Sequence, residues 1–381
     1  MKKLLIPLIV LLILLVGCTK TPTNGQDMSG LRIQVSNDFI SDGEMGVPVN
    51  REISWNSTEV DKYQVMLKEG NETFKIIEET KAKTYALELK EATKYQLKII
   101  ALKDDKKVET DTVEFFTEGT FTAVEETEIN QKLSEAGLNN IKHPYFFENK
   151  MFFINAYQKW KVYYMEKEND IWSSPKEIVL DNFSNNIASP KLIKNGDNYY
   201  LYVLYNDGPG ANYGIFKFVM NIDGDFSKDF KLIGKDNVLS PEKMATSIWL
   251  DDEESQIYIA TINYPNLNVN TGFSRSIFYS NKKSENWDTP CLVEGLHEVL
   301  KETKTIGKKS IRYVFKDKNR LFIDDDEKIS VAFKNRDSFK ALNLKFKVKN
   351  TELSGSYFSP VRFGNKLLFV NNGKLYSSEI F

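Results

Sequence analysis

Few residues in this 381-residue chain could do chemistry. Histidine occurs only at His143 and His297. A multi-histidine metal site is thereby excluded, and a Ser-His-Asp triad would have to use one of these two. His143 stands directly before Pro144 at the start of an apolar run; its ring could meet a ligand or bond a neighbouring backbone group. Cysteine occurs only at Cys18 and Cys291. Cys291 follows Pro290 in a turn-rich stretch and is expected to be a buried structural thiol rather than a nucleophile. Two acidic runs, Asp251-Asp252-Glu253-Glu254 and Asp324-Asp325-Asp326-Glu327, sit between apolar segments as solvated hairpin turns would. Neither has the alternating oxygen spacing of a calcium loop, so no metal and no cofactor is expected.

Recognition chemistry is better represented. Three long polar segments interrupt the apolar runs: Tyr157 to Trp160, Asn206 to Tyr213, and Tyr264 to Gly272. Their Asn, Asp and Tyr side chains suit sugar hydroxyls, with an aromatic platform beside them, and they equally suit ordinary turns. Long irregular loops on a rigid scaffold are where recognition usually lives. The candidate ligand-binding residues are therefore His143, Tyr157, Trp160, Asn206, Asp207, Tyr213, Tyr264 and Arg275. No catalytic residue is assigned.

The amino terminus sets the compartment. Lys2 and Lys3 precede an apolar run from Leu4 to Val16. That run is shorter than the ~20 residues a spanning helix needs and suits a signal-peptide core. It ends in Leu15-Val16-Gly17-Cys18, which resembles the lipobox of bacterial lipoproteins. The resemblance implies cleavage before Cys18, thioether lipidation and N-acylation of that residue, and anchoring to the cell membrane or outer membrane. Several acyl chains hold a protein stably where one does not. Residues 1–17 are then the signal peptide, and the polar stretch 18–29 reads as a flexible tether. The mature chain carries a small negative charge, which offers no electrostatic case for nucleic acid. With Cys18 lipidated, Cys291 has no intrachain partner, and stability must come from core burial. Aromatic residues, at 13%, supply it and favour strands.

From Gly30 to Glu118 the pattern alternates with period two, as in Tyr63-Gln64-Val65-Met66-Leu67 and Tyr95-Gln96-Leu97-Lys98-Ile99. Trp55, Tyr63 with Val65, and Leu89 followed by Tyr95 and Ala101 carry a resemblance to fibronectin type III domains. The resemblance implies a β-sandwich spacer without catalysis, in which the Tyr95 hydroxyl bonds nearby backbone at a strand corner.

Residues 119–381 repeat one unit: a Pro-bearing or Ser-bearing start, an apolar strand, a tight turn, then an aromatic strand. The starts fall near 143, 189, 246, 310 and 359. Spacings of this order mark β-propeller blades and predict five of them. The last copy has only three strands, so Gly119 to Glu125 is expected to supply its outer strand and leave no free edge. Gln131 to Gly137 reads as a short helix. Trp172, Phe230, Trp287 and Phe339 recur in the last hairpins and are expected to pack between blades; Ser280 to Trp287 is a degenerate match to the sialidase Asp-box. The fold class is all-β: a fibronectin type III-like sandwich, then a propeller.

The repeat resembles, in general form, five-bladed glycosidases whose blades begin Asp-Pro and whose carboxylates converge at the funnel. Glycoside cleavage needs two carboxyls at defined separation. The corresponding starts here are His143-Pro144, Ser189-Pro190 and Ala245-Thr246, none of them acidic. Sialidase chemistry needs an arginine cluster, and none is assignable from Arg275, Arg312, Arg320, Arg336 and Arg362. The expectation is a tethered binding protein for a polysaccharide or an envelope protein. Its rivals are a hydrolase with an atypical carboxylate set that uses Asp207, and a structural envelope lipoprotein.

Overall fold

A computed structural model describes residues 25–26 and 31–380, except 156–160, 181–186, 207–212, 221–225, 234–242, 254, 264–274, 284–285, 289, 297–298, 301–310, 325–327 and 336–337. Alternating apolar positions make the first unit a sandwich of two sheets. Its strands are β1 (Gly25–Gln26), β2 (Arg32–Val35), β3 (Glu44–Val47), β4 (Asn50–Ser57), β5 (Lys62–Glu69), β6 (Lys75–Thr80), β7 (Thr84–Glu88), β8 (Lys94–Lys103), β9 (Lys106–Glu109) and β10 (Val113–Thr117). One sheet runs β1-β2-β4-β7 and the other β3-β10-β8-β5-β6, with β9 added to β8. β1 falls inside the 18–29 segment and pairs antiparallel with β2, so Gly25 and Gln26 lie along the sandwich edge.

Ile33, Ile53, Trp55 and Leu87 of one sheet pack on Tyr63, Val65, Leu97, Ile99 and Phe115 of the other. Trp55 meets Tyr63 edge-on, ring centroids 5.3 Å apart. The Tyr95 hydroxyl accepts the Lys90 N–H at 3.1 Å, the strand-corner bond that the resemblance implies. Tyr95→Phe leaves that amide without its acceptor and is expected to lower stability by about 1 kcal/mol in urea unfolding.

The chain then enters the ring through Gly119. A Cβ there would sit 2.9 Å from the Ala92 backbone nitrogen, and its φ is +136°, so glycine is required. β11 (Thr120–Thr122) pairs parallel with Lys345–Val348, and β12 (Val124–Glu125) pairs antiparallel with Lys374–Glu379. β12 is thus the outer strand of the last blade, as expected from the three-stranded last repeat. The helix α1 spans Thr127–Glu135, four residues ahead of its expected start, and buries Ile129 and Leu133. Only those two apolar residues mark its inner face, which leaves its first turn almost without a sequence signal.

Five sheets follow around the axis. Their innermost strands are Ile141–Phe147, Ile187–Asn195, Lys243–Leu250, Tyr313–Asp317 and Tyr357–Phe363. Apolar seams join neighbours. Phe152, Val162, Leu192, Val203 and Phe216 fill the seam of blades one and two. Tyr202, Ile215, Ile248, Ile259 and Trp287 fill the next. Trp172 is buried against Phe146, with 6.2 Å between ring centroids, and Phe339 packs on the seam of blades three and four. These recurrent aromatics are core, as expected. For Phe230 the description extends to the backbone alone.

Sandwich and ring share one apolar cluster, in which Met45 and Phe116 meet Phe322, Phe333 and Phe346. Arg320, 2% exposed, lies over the Phe116 ring at 5.4 Å, and Asn319 donates to the Asp42 carbonyl at 2.9 Å.

Candidate functional site

The recurring blade start has a specific local structure. His143, Ser189 and Ser359, each followed by proline, have φ of +51°, +50° and +52°. Strand register breaks at these same places, between Lys142 and Tyr145, Ala188 and Lys191, and Phe358 and Val361. A bulge of this kind re-aims a side chain. Here it turns the side chain into the seam with the adjoining blade.

A closed circuit results. The Ser189 N–H donates to Nδ1 of His143 at 2.9 Å, and the Ile248 N–H to Oγ of Ser189 at 3.2 Å. The Val314 N–H donates to Oγ of Ser247 at 3.0 Å, and the Ser359 N–H to a carboxylate oxygen of Asp324 at 2.6 Å. Finally the His143 N–H donates to Oγ of Ser359 at 3.0 Å. Each blade gives one amide of its innermost strand to a side chain of the blade before it, and the fifth bond returns to the start. All five acceptors are buried. Bonds of this type contribute about 0.5–1.5 kcal/mol each, and leaving one amide unmet costs more.

His143 belongs to this circuit. Its ring stands 5.1 Å from that of Tyr313. Burial, together with the charges of Lys142 and Arg312, pushes its pKa down to about 3. The imidazole is therefore neutral at ordinary pH, with Nδ1 accepting. Of the other candidates, Asn206 and Tyr213 face each other as paired backbone positions at the ends of two strands of blade two, and Arg275 pairs with Ile262 in blade three. For these three the description extends to the backbone, and Tyr157, Trp160, Asp207, Tyr264 and His297 lie outside the described residues.

Two expectations need correction. Asp324 is not solvated: it is 0% exposed and closes the circuit between blades four and five. The reason is register, since it is the last residue of a strand whose partner Tyr313 lies at the axis. Cys291 is exposed rather than buried, because it sits on a two-residue outer strand, Cys291–Leu292, both of whose residues face solvent. The other acidic run behaves as expected: the Asp251 carboxylate accepts the Ser255 and Gln256 N–H groups and closes a turn. Two arginines do converge on a carboxylate, but an internal one. Arg320 and Arg362 each reach Asp317 at 2.6 Å.

Side chains from blades one to four form a cluster that sequence reasoning missed. Lys191, buried, lies over the rings of Tyr145 (4.5 Å) and Trp249 (5.5 Å) and pairs with Asp252 at 2.8 Å. Burial works against its charge, but Tyr145 and Asp252 outweigh that and raise its pKa above the ordinary lysine value. Lys316 lies over Tyr258 (5.2 Å) and Trp249 (5.9 Å) and donates to Gln256 at 2.9 Å. Burial lowers the Lys316 pKa and pushes that of Tyr258 up to about 12. A lone lysine inside the run Pro190-Lys191-Leu192-Ile193, two residues beyond a blade start, was the available signal.

No family model matches the chain, and no curated protein matches it in sequence. Among solved structures, it is similar to a gluconolactonase from Xanthomonas campestris at 9% identity and TM-score 0.35, covering 93% of this chain and 94% of that one. A β-1,2-mannobiose phosphorylase from Listeria innocua aligns at 10% identity and TM-score 0.34, covering 93% of this chain and 91% of that one. A mixed-linkage glucan utilization protein of Bacteroides ovatus, solved with a heptasaccharide, aligns at 12% identity and TM-score 0.17, covering 85% of this chain and 69% of that one. Likeness at these scores carries no argument about activity. The strand pairing itself defines the class: an all-β chain with a sandwich followed by a five-bladed propeller.

Proposed function

We propose that this chain is a lipid-tethered extracytoplasmic binding protein. A fibronectin type III-like spacer, residues 30–118, holds a propeller, residues 119–381, off the membrane. The face carrying the blade starts and the loops with Tyr157, Trp160, Asp207 and Tyr264 recognises a glycan. One observation carries this reading: of the blade starts where a propeller glycosidase would place its carboxylates, His143 and Ser189 are used to join blades, and the third, Ala245-Thr246, carries no acid. Asp324, the one carboxylate in the circuit, accepts the Ser359 amide from a fully buried position. Such a mouth can grip without cutting.

A glycan array on the mature chain, followed by reducing-sugar release from any hit, tests the proposal. Binding without turnover is the expected result. Turnover lost in Asp207→Asn would overturn it in favour of a hydrolase, and co-purification of an envelope protein without glycan binding would favour a structural role. The tether has its own test. Cys18→Ser is expected to abolish radiolabelled palmitate incorporation and move the chain from the membrane to the soluble fraction.

A further inference from the structure

We infer that the cluster of Lys191, Lys316, Trp249 and Tyr258 is a second binding site, for a carboxylated saccharide, in which Asp252 stands in for the ligand's carboxylate. Lys191 brings its ammonium to this cluster on a side chain 8% exposed. A buried cation needs a counter-charge, because desolvation without one is costly. Here the carboxylate comes from Asp252, whose side chain is 88% exposed, on the turn joining the first two strands of blade three. A carboxylate so exposed gains little from pairing and is readily replaced by one from solution.

The surroundings choose the ligand. Half-buried Trp249 and Tyr258 present aromatic surface beside the two ammonium groups, and Gln256 adds an amide. Aromatic walls with a few fixed polar groups suit a sugar ring carrying an acid. An extended peptide would need a free strand edge to pair with. The innermost strands beside this cluster already give the Ser189, Ile248 and Val314 amides to the circuit between blades.

Calorimetry on the detergent-solubilised mature chain, with tetragalacturonate as probe, tests the site. Wild type is expected to bind weakly and less at high salt. Removing the internal competitor with Asp252→Asn should tighten binding roughly tenfold, equivalent to about 1.4 kcal/mol. Lys191→Met should abolish binding; should that variant not fold, Lys316→Gln, at a half-buried position, should still weaken it several-fold. An unchanged affinity in Asp252→Asn overturns the proposal, as does equal binding of neutral maltotetraose or of a tetraglutamate peptide. Glycan recognition by the blade-start face involves neither Lys191 nor Asp252, so the two readings fail separately.

Discussion

Replacing Asp317 by alanine is expected to destabilise the protein by about 3–5 kcal/mol, the range for removing one partner of a buried ion pair. Asp317 is 6% exposed and receives Arg320 and Arg362, each at 2.6 Å. Arg362 is 41% exposed, so water can take over its solvation. Arg320, at 2%, has no such recourse. Its guanidinium would stay between the Phe116 and Phe322 rings, where cation–π attraction offsets only part of the cost. The damage would also reach the sandwich, because the turn between Asp317 and Arg320 carries Asn319, which donates to the Asp42 carbonyl. Urea unfolding measures the loss, and faster proteolysis near Gly119 would report the loosened junction. The double variant Asp317→Leu with Arg320→Met removes both charges and fills the space, so it should recover most of the stability. A loss below 1 kcal/mol in Asp317→Ala would show that the pair contributes nothing at this junction.

Much of the architecture was legible because it is written in local, repeated signals. The spacing of Trp55, Tyr63 and Tyr95 pointed to the sandwich, and the corner bond from Lys90 to Tyr95 is present. The recurring Pro- or Ser-bearing starts marked the blades, and the three-stranded last copy correctly called for a closing strand, which Val124–Glu125 supplies. What those starts do was not legible. The His143 ring read as meeting either a ligand or a neighbouring backbone group; it takes the Ser189 N–H, but that its left-handed backbone turns it into a seam between blades was not foreseen. Whether a bulged residue faces solvent or the neighbouring blade depends on how two sheets dock, which no window of sequence contains.

The same limit explains Asp324 and Lys191. Each lies in a segment whose composition argues the opposite of its burial: an acidic run for one, an apolar strand for the other. Asp324 is buried because its strand ends at the axis, and Lys191 is charged within the core because Tyr145, Trp249 and Asp252 come from other blades. Contacts between blades join residues about fifty or more positions apart. Local periodicity is silent at that range.

Between pH 7 and pH 5 the protein should lose about 2 kcal/mol of stability through His143 alone. Its pKa is about 3 in the folded chain and 6.5 in its ordinary state. The unfolded chain therefore binds the extra proton first, and stability falls as pH drops below 6.5 toward 3. Carboxylates titrate mostly below this window, which leaves the upper part of the slope to histidine. His143→Asn tests the origin of the effect. Asparagine tolerates a φ of +51° and offers an amide oxygen to the Ser189 N–H, so the circuit stays closed without a titrating group. Its stability should be nearly flat from pH 7 to pH 5 in urea titrations. His143→Leu should also be flat but lower by about 1–3 kcal/mol at every pH, because the Ser189 amide is left buried and unmet. An unchanged slope in both variants would mean that the acid sensitivity of the ring arises elsewhere.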